Sequence, residues 1–190
     1  YFFLGAFSTG FVVYGIALIF GATESTNLFA IMTAASASQS GSSLLLTMGA
    51  ALLLIGFGFK VAAVPFHMWT PDVYQGAPTA VTAFMSSGAK IAGFAALLRV
   101  FATAFPSIAV DMTDILWVLA ALTMILGNLV AISQTDIKRL LAYSSIAHAG
   151  YILMAFVPYG NPGLRADSVA AGLFYLVSYA FTNFGAWGVV

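Results

Sequence analysis

Six long apolar segments follow one another along this chain and limit what it can fold into. They span residues 1–21, 44–66, 79–101, 115–132, 140–157 and 169–190. An α-helix needs about 20 mostly apolar residues to cross the roughly 30 Å hydrocarbon core of a bilayer. A soluble helical bundle would need a charged face on each helix, and these segments have none. The sequence therefore predicts an all-α membrane bundle of about six transmembrane helices, forming one domain over residues 1–190.

The composition agrees with a membrane setting and argues against several functions. The chain is 62% hydrophobic and 6% charged, with a mean hydropathy of +1.01, whereas an ordinary soluble domain is roughly 25% charged. Six basic and six acidic residues cancel, so no nucleic-acid partner is predicted. Because the chain has no cysteine, it offers no thiolates for iron–sulfur or zinc ligation, and we expect neither a cofactor nor a metal in it.

The two ends of the chain lie inside apolar segments. Tyr1 opens directly onto one such segment and Val190 closes within another, so we expect a fragment of a longer membrane domain. Residues 1–21 have no basic stretch before them and no small-residue cleavage site after them. A secretory signal peptide is therefore not predicted.

The links between segments predict the orientation in the membrane. They are residues 23–43, 65–78, 106–114, 134–139 and 159–167, and successive links face opposite sides. Lys138 and Arg139 form the only basic pair near a segment end. The positive-inside rule therefore places residues 65–78 and 134–139 in the cytoplasm. Basic residues on the opposite side weaken this asymmetry; they are Arg99 and Arg165.

Three ionisable residues lie inside the predicted segments, namely Lys60, Lys90 and His148. A charge at the bilayer centre costs about 2.5–3.5 kcal/mol on insertion scales, so each of them is a candidate functional residue. Desolvation disfavours the charged form of a lysine, and a lysine in the membrane can then exchange protons near neutral pH. A histidine ring can take a proton at one nitrogen and release it from the other. The three residues are therefore candidates for a proton relay.

Polar neighbours strengthen two of these candidates. At helical spacing they share a face with the ionisable residue and could hold water there. These neighbours are Ser144, Ser145 and Tyr151 for His148, and Ser86 and Ser87 for Lys90.

Simpler structural interpretations stay open for these residues. Lys60 lies near the end of its segment and can extend its ammonium group to the interface. Lys90 is less suited to this because about ten mostly apolar residues flank it on each side. His148 fits a structural histidine bonded to a neighbouring helix as well as it fits a relay. A metal site at His67 and His148 is not predicted, since they lie far apart without an HxxxH pairing or a nearby carboxylate.

Pro65 predicts an interruption of the second segment. Proline lacks a backbone donor and clashes with the preceding helical turn. Interrupted helices in transporters often mark the ion site, because the freed backbone groups supply dipoles at membrane depth. The alternative is that Pro65, Pro71 and Pro78 only mark a loop. The loop carboxylates of Asp72 and Asp136 are most simply solvated charges.

Two long stretches resemble the subunit N family of proton-translocating NADH:quinone oxidoreductase, or respiratory complex I. The first is FGFKVAAVPFHMWTPDVYQGAPT over residues 57–79, and the similarity continues through residues 89–91. The second is GNLVAISQTDIKRLLAYSSIAHAGY over residues 127–151. The opening YFFLGAFS over residues 1–8 is also similar. With the first stretch counted through residue 91, the two long stretches cover about a third of the chain.

The resemblance implies an antiporter-like fold of fourteen helices with two inverted repeats, each with an interrupted helix. Residues 1–190 would correspond to its sixth to eleventh helices. Lys60 would then be the lysine of the broken seventh helix, and His67 the histidine after the break. Lys90 would be the central lysine of the eighth helix, and His148 the histidine of the tenth. The family also uses a glutamate on its fifth helix and an ionisable residue on its twelfth, both beyond these residues.

The resemblance also implies a mechanism. Protons would cross the membrane without bond chemistry or a redox centre in this chain, driven by quinone reduction elsewhere in the complex. A proton would pass from Lys60 through water to Lys90 and His148, and these sites would titrate as a coupled set. The implied partners are the other membrane-arm subunits, the lipid bilayer and protons. The implied location is the bacterial inner membrane.

Two alternative functions stay open. One is a subunit of a multi-subunit sodium/proton antiporter or of an energy-converting hydrogenase, which shares the fold. The runs TPDVYQG over residues 70–76 and QTDIKR over residues 134–139 favour the respiratory subunit instead. The other is a structural membrane subunit that conducts nothing, in which buried lysines would be permanently ion-paired.

Overall fold

The computed structural model describes residues 1–37 and 44–190, which form helices joined by short turns and contain no strand. The α-helices are α1 (Phe2–Thr23), α2 (Leu28–Ala37), α3 (Leu44–Val61), α4 (Thr70–Gly76), α5 (Thr79–Phe84), α6 (Lys90–Ala104), α7 (Ala109–Ile132), α8 (Ile137–Phe156) and α9 (Arg165–Val189). A π-helix over Met85–Ala89 joins α5 to α6 without interruption. The 3-10 turns are Pro106–Ile108 before α7 and Val157–Gly160 after α8.

Six helical runs in the described residues are long and apolar enough to cross a membrane. They are Phe2–Thr23, Leu44–Val61, Thr79–Ala104, Pro106–Ile132, Ile137–Gly160 and Arg165–Val189. Each of them overlaps one of the six predicted segments. The prediction of an all-α membrane bundle is therefore confirmed.

Several predicted links proved to be helical. The link predicted over residues 106–114 is mostly wrong, because Pro106 opens a 3-10 turn and α7 already begins at Ala109. α8 begins at Ile137, three residues before its predicted segment. Its start is capped by Asp136, whose carboxylate accepts a hydrogen bond from the Arg139 backbone N–H at 2.9 Å. The basic pair therefore lies in the first turn of α8 rather than in a loop, and Asp136 is more than a solvated charge.

A short helix occupies part of the link predicted over residues 23–43. α2 begins after Asn27, whose side-chain oxygen accepts from the Phe29 backbone N–H at 2.9 Å and so caps the helix. With ten residues, α2 is too short to span a membrane. Residues 38–43 of this link lie outside the described residues.

The predicted helix interruption is present, but it begins before Pro65. Proline at this position has no N–H to bond the Val61 carbonyl four residues earlier, and its ring would clash with that carbonyl. α3 consequently ends at Val61, and Ala62 takes a left-handed conformation with φ of 62°. The Val64–Pro65 peptide is cis. The chain resumes as α4 within the stretch that was predicted as a loop over residues 65–78.

Side chains supply hydrogen bonds to the backbone groups freed at this break. The Trp69 indole N–H donates to the Phe59 carbonyl at 3.0 Å, and the Val64 backbone N–H donates to the Thr123 hydroxyl at 3.0 Å. Thr123 lies on α7 and is fully buried. Since backbone groups in a membrane must be paired within the protein, Thr123 holds the interrupted helix against α7.

α7 and α8 pack closely because glycines lie between them. A Cβ added at Gly127 would lie 2.6 Å from the Ala147 backbone nitrogen, and one at Gly150 would lie 2.7 Å from that of Met124. Small residues of this kind let membrane helices approach each other. α8 is in this way held closely against α7.

We expect Thr123→Val to destabilise the protein by about 1–3 kcal/mol, because it leaves the buried Val64 N–H without an acceptor. Thermal unfolding of the purified protein in detergent measures this. Thr113→Val is the matched control on the same helix, since the Thr113 hydroxyl donates only to the Ala109 carbonyl of its own helix. Equal unfolding midpoints for the two variants would contradict the role given to Thr123.

We expect Gly127→Ala to cost about 1–3 kcal/mol, because the added methyl group meets backbone atoms of α8 that cannot move aside cheaply. The same unfolding measurement applies. Gly10→Ala is the control, since a Cβ there meets nothing within 4 Å. The close packing would be refuted by a Gly127→Ala protein as stable as the control.

Candidate functional site

Lys90 is buried at the start of α6, with 2% of its surface exposed. Its ammonium nitrogen Nζ donates to the Ser145 backbone carbonyl at 2.7 Å and also to the Ser145 hydroxyl. Among the described residues the one ion pair joins Arg139 to Asp72, so Lys90 has no carboxylate there within 4.0 Å. The sequence prediction that Lys90 lies away from solvent agrees with this arrangement.

The π-helix before Lys90 is held by a polar residue of α9. The Asn183 side-chain amide donates to the Ser86 hydroxyl at 2.6 Å and to the Ser87 hydroxyl at 2.7 Å. π-Helical turns are rare and often occur at functional sites, because the wider turn redirects side chains. The two serines that the sequence placed beside Lys90 therefore bond to Asn183 and fix the helix from which Lys90 projects.

Ser145 and Tyr179 connect Lys90 to the π-helix. The Ser145 hydroxyl lies 2.7 Å from the Tyr179 hydroxyl, which also donates to the Ser86 carbonyl at 3.0 Å. The Tyr179 ring centre is 5.9 Å from Lys90 Nζ, within the range of a cation–π contact. Ser145 and Tyr179 are 1% and 3% exposed. Lys90, Ser145, Tyr179 and Ser86 thus form one buried hydrogen-bonded chain, which we call the Lys90 network.

Tyr74 brings α4, which follows the helix break, close to this network. It is fully buried, and burial raises the pKa of its phenol well above the ordinary value. The Ser145 side chain is close enough to Tyr74 to oppose that rise. Ser145 therefore lies among three elements, with Lys90 on α6, Tyr179 on α9 and Tyr74 on α4.

His148 lies one turn beyond Ser145 and is half-buried. Its Nδ1 is 2.7 Å from the Tyr175 hydroxyl. Its ring centre is 5.2 Å from that of Tyr179, 5.6 Å from that of Tyr151 and 5.9 Å from that of Tyr175. The structure thus brings His148 next to the Lys90 network through Tyr179, with tyrosines of two helices around it.

Lys60 and His67 take no part in the hydrogen bonds of the Lys90 network among the described residues, although the Lys60 side chain begins beside Gly93, one turn after Lys90 on α6. Lys60 is at the last turn of α3 and its side chain is exposed, so the expected burial of Lys60 is not found within this chain. His67 follows the break, and burial lowers its pKa below the ordinary value. Its Nδ1 accepts or donates no hydrogen bond of good geometry in the described part of the chain, while the Pro65 backbone lies near enough to the ring to oppose the fall in pKa. Pro65 between them is exposed.

α4 and the residue after it meet the first turn of α8 at one end of the bundle. The Arg139 guanidinium donates to the Asp72 carboxylate at 2.7 Å and to the Gln75 side chain at 3.0 Å. Lys138 Nζ donates to the Ala77 carbonyl at 3.3 Å. Asp72 is therefore an ion-pair partner rather than an unpaired loop charge, although surface pairs of this kind add little stability.

Sequence reasoning missed the residues that α9 and α4 contribute. None of them was singled out from the sequence. These residues are Tyr74, Tyr175, Tyr179 and Asn183. The available signal was a polar amide and several hydroxyls inside apolar segments, where a polar group needs a partner.

The fold and the site define a polytopic integral membrane protein with an interrupted helix and a buried lysine. The family described as "NADH:quinone oxidoreductase/Mrp antiporter, TM" matches residues 1–190, and the chain belongs to this family. The resemblance found in the sequence is thereby confirmed.

Several relatives and solved structures are similar to this chain in sequence or in fold. NADH-quinone oxidoreductase subunit N of Trichlorobacter lovleyi is 53% identical over all of this chain and 38% of the relative. A chain of respiratory complex I from Thermus thermophilus is 45% identical, with a TM-score of 0.78 over 100% of this chain and 38% of that one. A chain of the Mrp complex from Dietzia sp. is 26% identical, with a TM-score of 0.84 over 97% and 32%. The chain thus spans about two fifths of the length of the first two.

We expect Asn183→Leu to destabilise the protein by about 1–3 kcal/mol, because two buried serine hydroxyls lose their donor. Thermal unfolding in detergent measures this. Thr182→Val on the neighbouring position is the control, since the exposed Thr182 hydroxyl donates only to the Ser178 carbonyl of its own helix. An Asn183→Leu protein that unfolds with the control would show that Asn183 does not hold the π-helix.

Proposed function

We propose that this chain belongs to a proton-translocating membrane subunit of an NADH:quinone oxidoreductase and that Lys90 carries protons in it. The observation on which the proposal depends is that Lys90 is buried, bonded to two neutral oxygens of Ser145 and unpaired with any described carboxylate. The subunit N relatives and the complex I structure support the choice of complex.

The missing counterion favours a transport role over a structural one. A permanently charged lysine buried for structural reasons needs a counterion, since an uncompensated buried charge costs several kcal/mol. Lys90 has none in the described residues. A lysine that loses and regains its proton requires neutral partners that serve both states, and Ser145 offers these. This arrangement speaks against the alternative of a membrane scaffold with permanent ion pairs.

A route through the chain follows from the positions of the candidate residues. Protons pass between Lys90 and His148 by way of water. Lys60 serves a different stage, since its exposed side chain is free to meet a carboxylate on a segment outside these residues. His67 follows the break and has a buried ring nitrogen, so it is a second residue beside the break that can hold a proton.

The partners and the orientation are part of the same proposal. The other membrane-arm subunits of the complex cover the exposed apolar faces together with lipid, and quinone is reduced outside this chain. The chain itself transfers no electrons, in keeping with its lack of cysteine. In a bacterial inner membrane, residues 65–78 and 134–139 face the cytoplasm; their hydrogen bonds to each other support a shared side.

A second candidate function is supported by the likeness to the Mrp complex. The TM-score of 0.84 to that structure is higher than the score of 0.78 to complex I, so the fold alone does not separate an exchanger subunit from a respiratory one. The sequence identity favours complex I, at 45% against 26%. Purification of the intact protein with its partners separates the two: quinone-reductase subunits support the proposal, and exchanger subunits contradict it.

We expect Lys90→Ala in the complete complex to reduce the number of protons pumped per electron at least two-fold, because the buried proton carrier is gone. Proton uptake into inverted membrane vesicles during NADH oxidation measures this ratio. Lys60→Ala tests the stage at the helix break in the same assay. Lys138→Ala is the control, since this lysine lies at the bundle end and, among the described residues, donates only to the Ala77 carbonyl. Undiminished pumping per electron in Lys90→Ala would overturn the proposed function.

A further inference from the structure

We propose that the Ser145 and Tyr179 hydroxyls form a two-state hydrogen-bond switch that holds Lys90 in place whether or not its amine carries the extra proton. This inference rests on the proposed function and adds two positioning residues to it. It starts from the Lys90 network, in which each hydroxyl has one proton to donate.

The direction of the hydrogen bonds follows from counting protons. The Ser86 carbonyl can only accept, so the Tyr179 hydroxyl uses its one proton in the 3.0 Å bond to that oxygen. Tyr179 must then accept across the 2.7 Å contact with Ser145, which makes the Ser145 hydroxyl the donor. The Ser145 oxygen is left with lone pairs only, and it accepts from Lys90 Nζ. In this direction the network is complementary to the ammonium form of Lys90.

The neutral amine calls for the opposite direction. It has a lone pair that needs a donor, and one of its two N–H groups can still donate to the Ser145 carbonyl at 2.7 Å. If both hydroxyls rotate, Tyr179 donates to Ser145 and Ser145 donates to the Lys90 lone pair. No covalent bond changes in this rotation, and the heavy atoms keep their positions. The switch therefore follows the charge on Lys90 without a rearrangement of helices.

The rotation leaves one group short of a partner. The Ser86 carbonyl loses its donor, and an under-satisfied carbonyl is tolerated better than an orphaned N–H. Ser86 cannot move away to find another partner, because Asn183 holds its hydroxyl at 2.6 Å. This residual cost favours the first direction, so the network returns to it when Lys90 is protonated again.

Burial makes the switch necessary. Lys90, Ser145 and Tyr179 are each no more than 3% exposed in this chain, so side chains must supply what water would supply at a surface. Without the Ser145 hydroxyl, the Ser145 carbonyl would be the one remaining acceptor of Lys90 in the described residues. That oxygen can serve an N–H of either form but can never donate to the neutral amine.

The test compares Ser145→Ala and Tyr179→Phe in the complete complex, with protons pumped per electron and uncoupled electron-transfer rate measured on the same membranes. We expect each variant to assemble, to keep its uncoupled rate and to lower the pumping ratio at least two-fold. Ser145→Thr keeps the hydroxyl and should restore the ratio. Ser168→Ala is the matched control, because this buried hydroxyl donates only to the Ala155 carbonyl.

Combining the two changes tests whether the hydroxyls act as one unit. If they do, the double variant Ser145→Ala/Tyr179→Phe pumps as many protons per electron as the single variant with the lower ratio. Either change alone already breaks the switch. Additive losses would mean that the two hydroxyls act separately and would overturn the inference. If Ser145→Ala reduces assembly, the inference is judged by the number of protons pumped per electron in Tyr179→Phe, since that change keeps the ring in place.

The Lys90→Ala variant separates failure of the inference from failure of the proposed function. If Lys90→Ala impairs pumping while Ser145→Ala and Tyr179→Phe pump normally, the switch is wrong and the proton-carrying role of Lys90 stands. If Lys90→Ala itself pumps normally, the proposed function fails. A third outcome is that the variants lose assembled complex and pumping to the same extent and that Ser145→Thr restores neither. The hydroxyls would then serve packing alone, and the inference would be overturned.

Discussion

Backbone polar groups inside a bilayer have to find their hydrogen bonds within the protein, and this constraint organises the structure around its irregular points. α3 ends at Val61 because Pro65 can neither donate to that carbonyl nor fit beside it. The groups set free are paired by Trp69 and Thr123. The π-helix before Lys90 follows the same logic, with Tyr179 donating to one of its carbonyls. Side chains from elsewhere in the bundle thus supply the hydrogen bonds that the irregular backbone lacks.

The same constraint applies to the buried side chains at the centre of the bundle, where Lys90 can also carry a charge. Lys90 is placed among neutral oxygens and an aromatic ring rather than opposite a carboxylate. This surrounding accepts hydrogen bonds from the ammonium group without fixing its charge. Because Tyr179 lies beside both Ser145 and His148, one tyrosine connects the two titratable groups. A lysine in such a place is suited to exchange a proton, whereas an ion-paired lysine would keep it.

Prediction from sequence succeeded where composition or local chemistry was decisive. The six apolar segments, the interruption near Pro65 and the position of Lys90 within a span could all be predicted, because hydropathy and the missing proline donor act locally. The short helices α2 and α4 were missed, since their lengths fall below what hydropathy detects. The start of α8 was placed too late because the cap by Asp136 was interpreted as a loop charge. For Lys60 the sequence left burial and exposure open, and it is exposed in this chain because its helix ends one residue later.

The amino-acid sequence by itself determined that this chain is a membrane helix bundle, which family it resembles and which residues carry costly charges in its spans. Only the tertiary structure decided which partners those charges meet. Ser145 and Tyr179 are 34 positions apart, and Lys90 is 55 positions from Ser145. No local pattern relates such residues, because their contact depends on how α6, α8 and α9 pack. Hydropathy is a property of each segment, whereas a hydrogen-bonded network inside a membrane is a property of the space between helices.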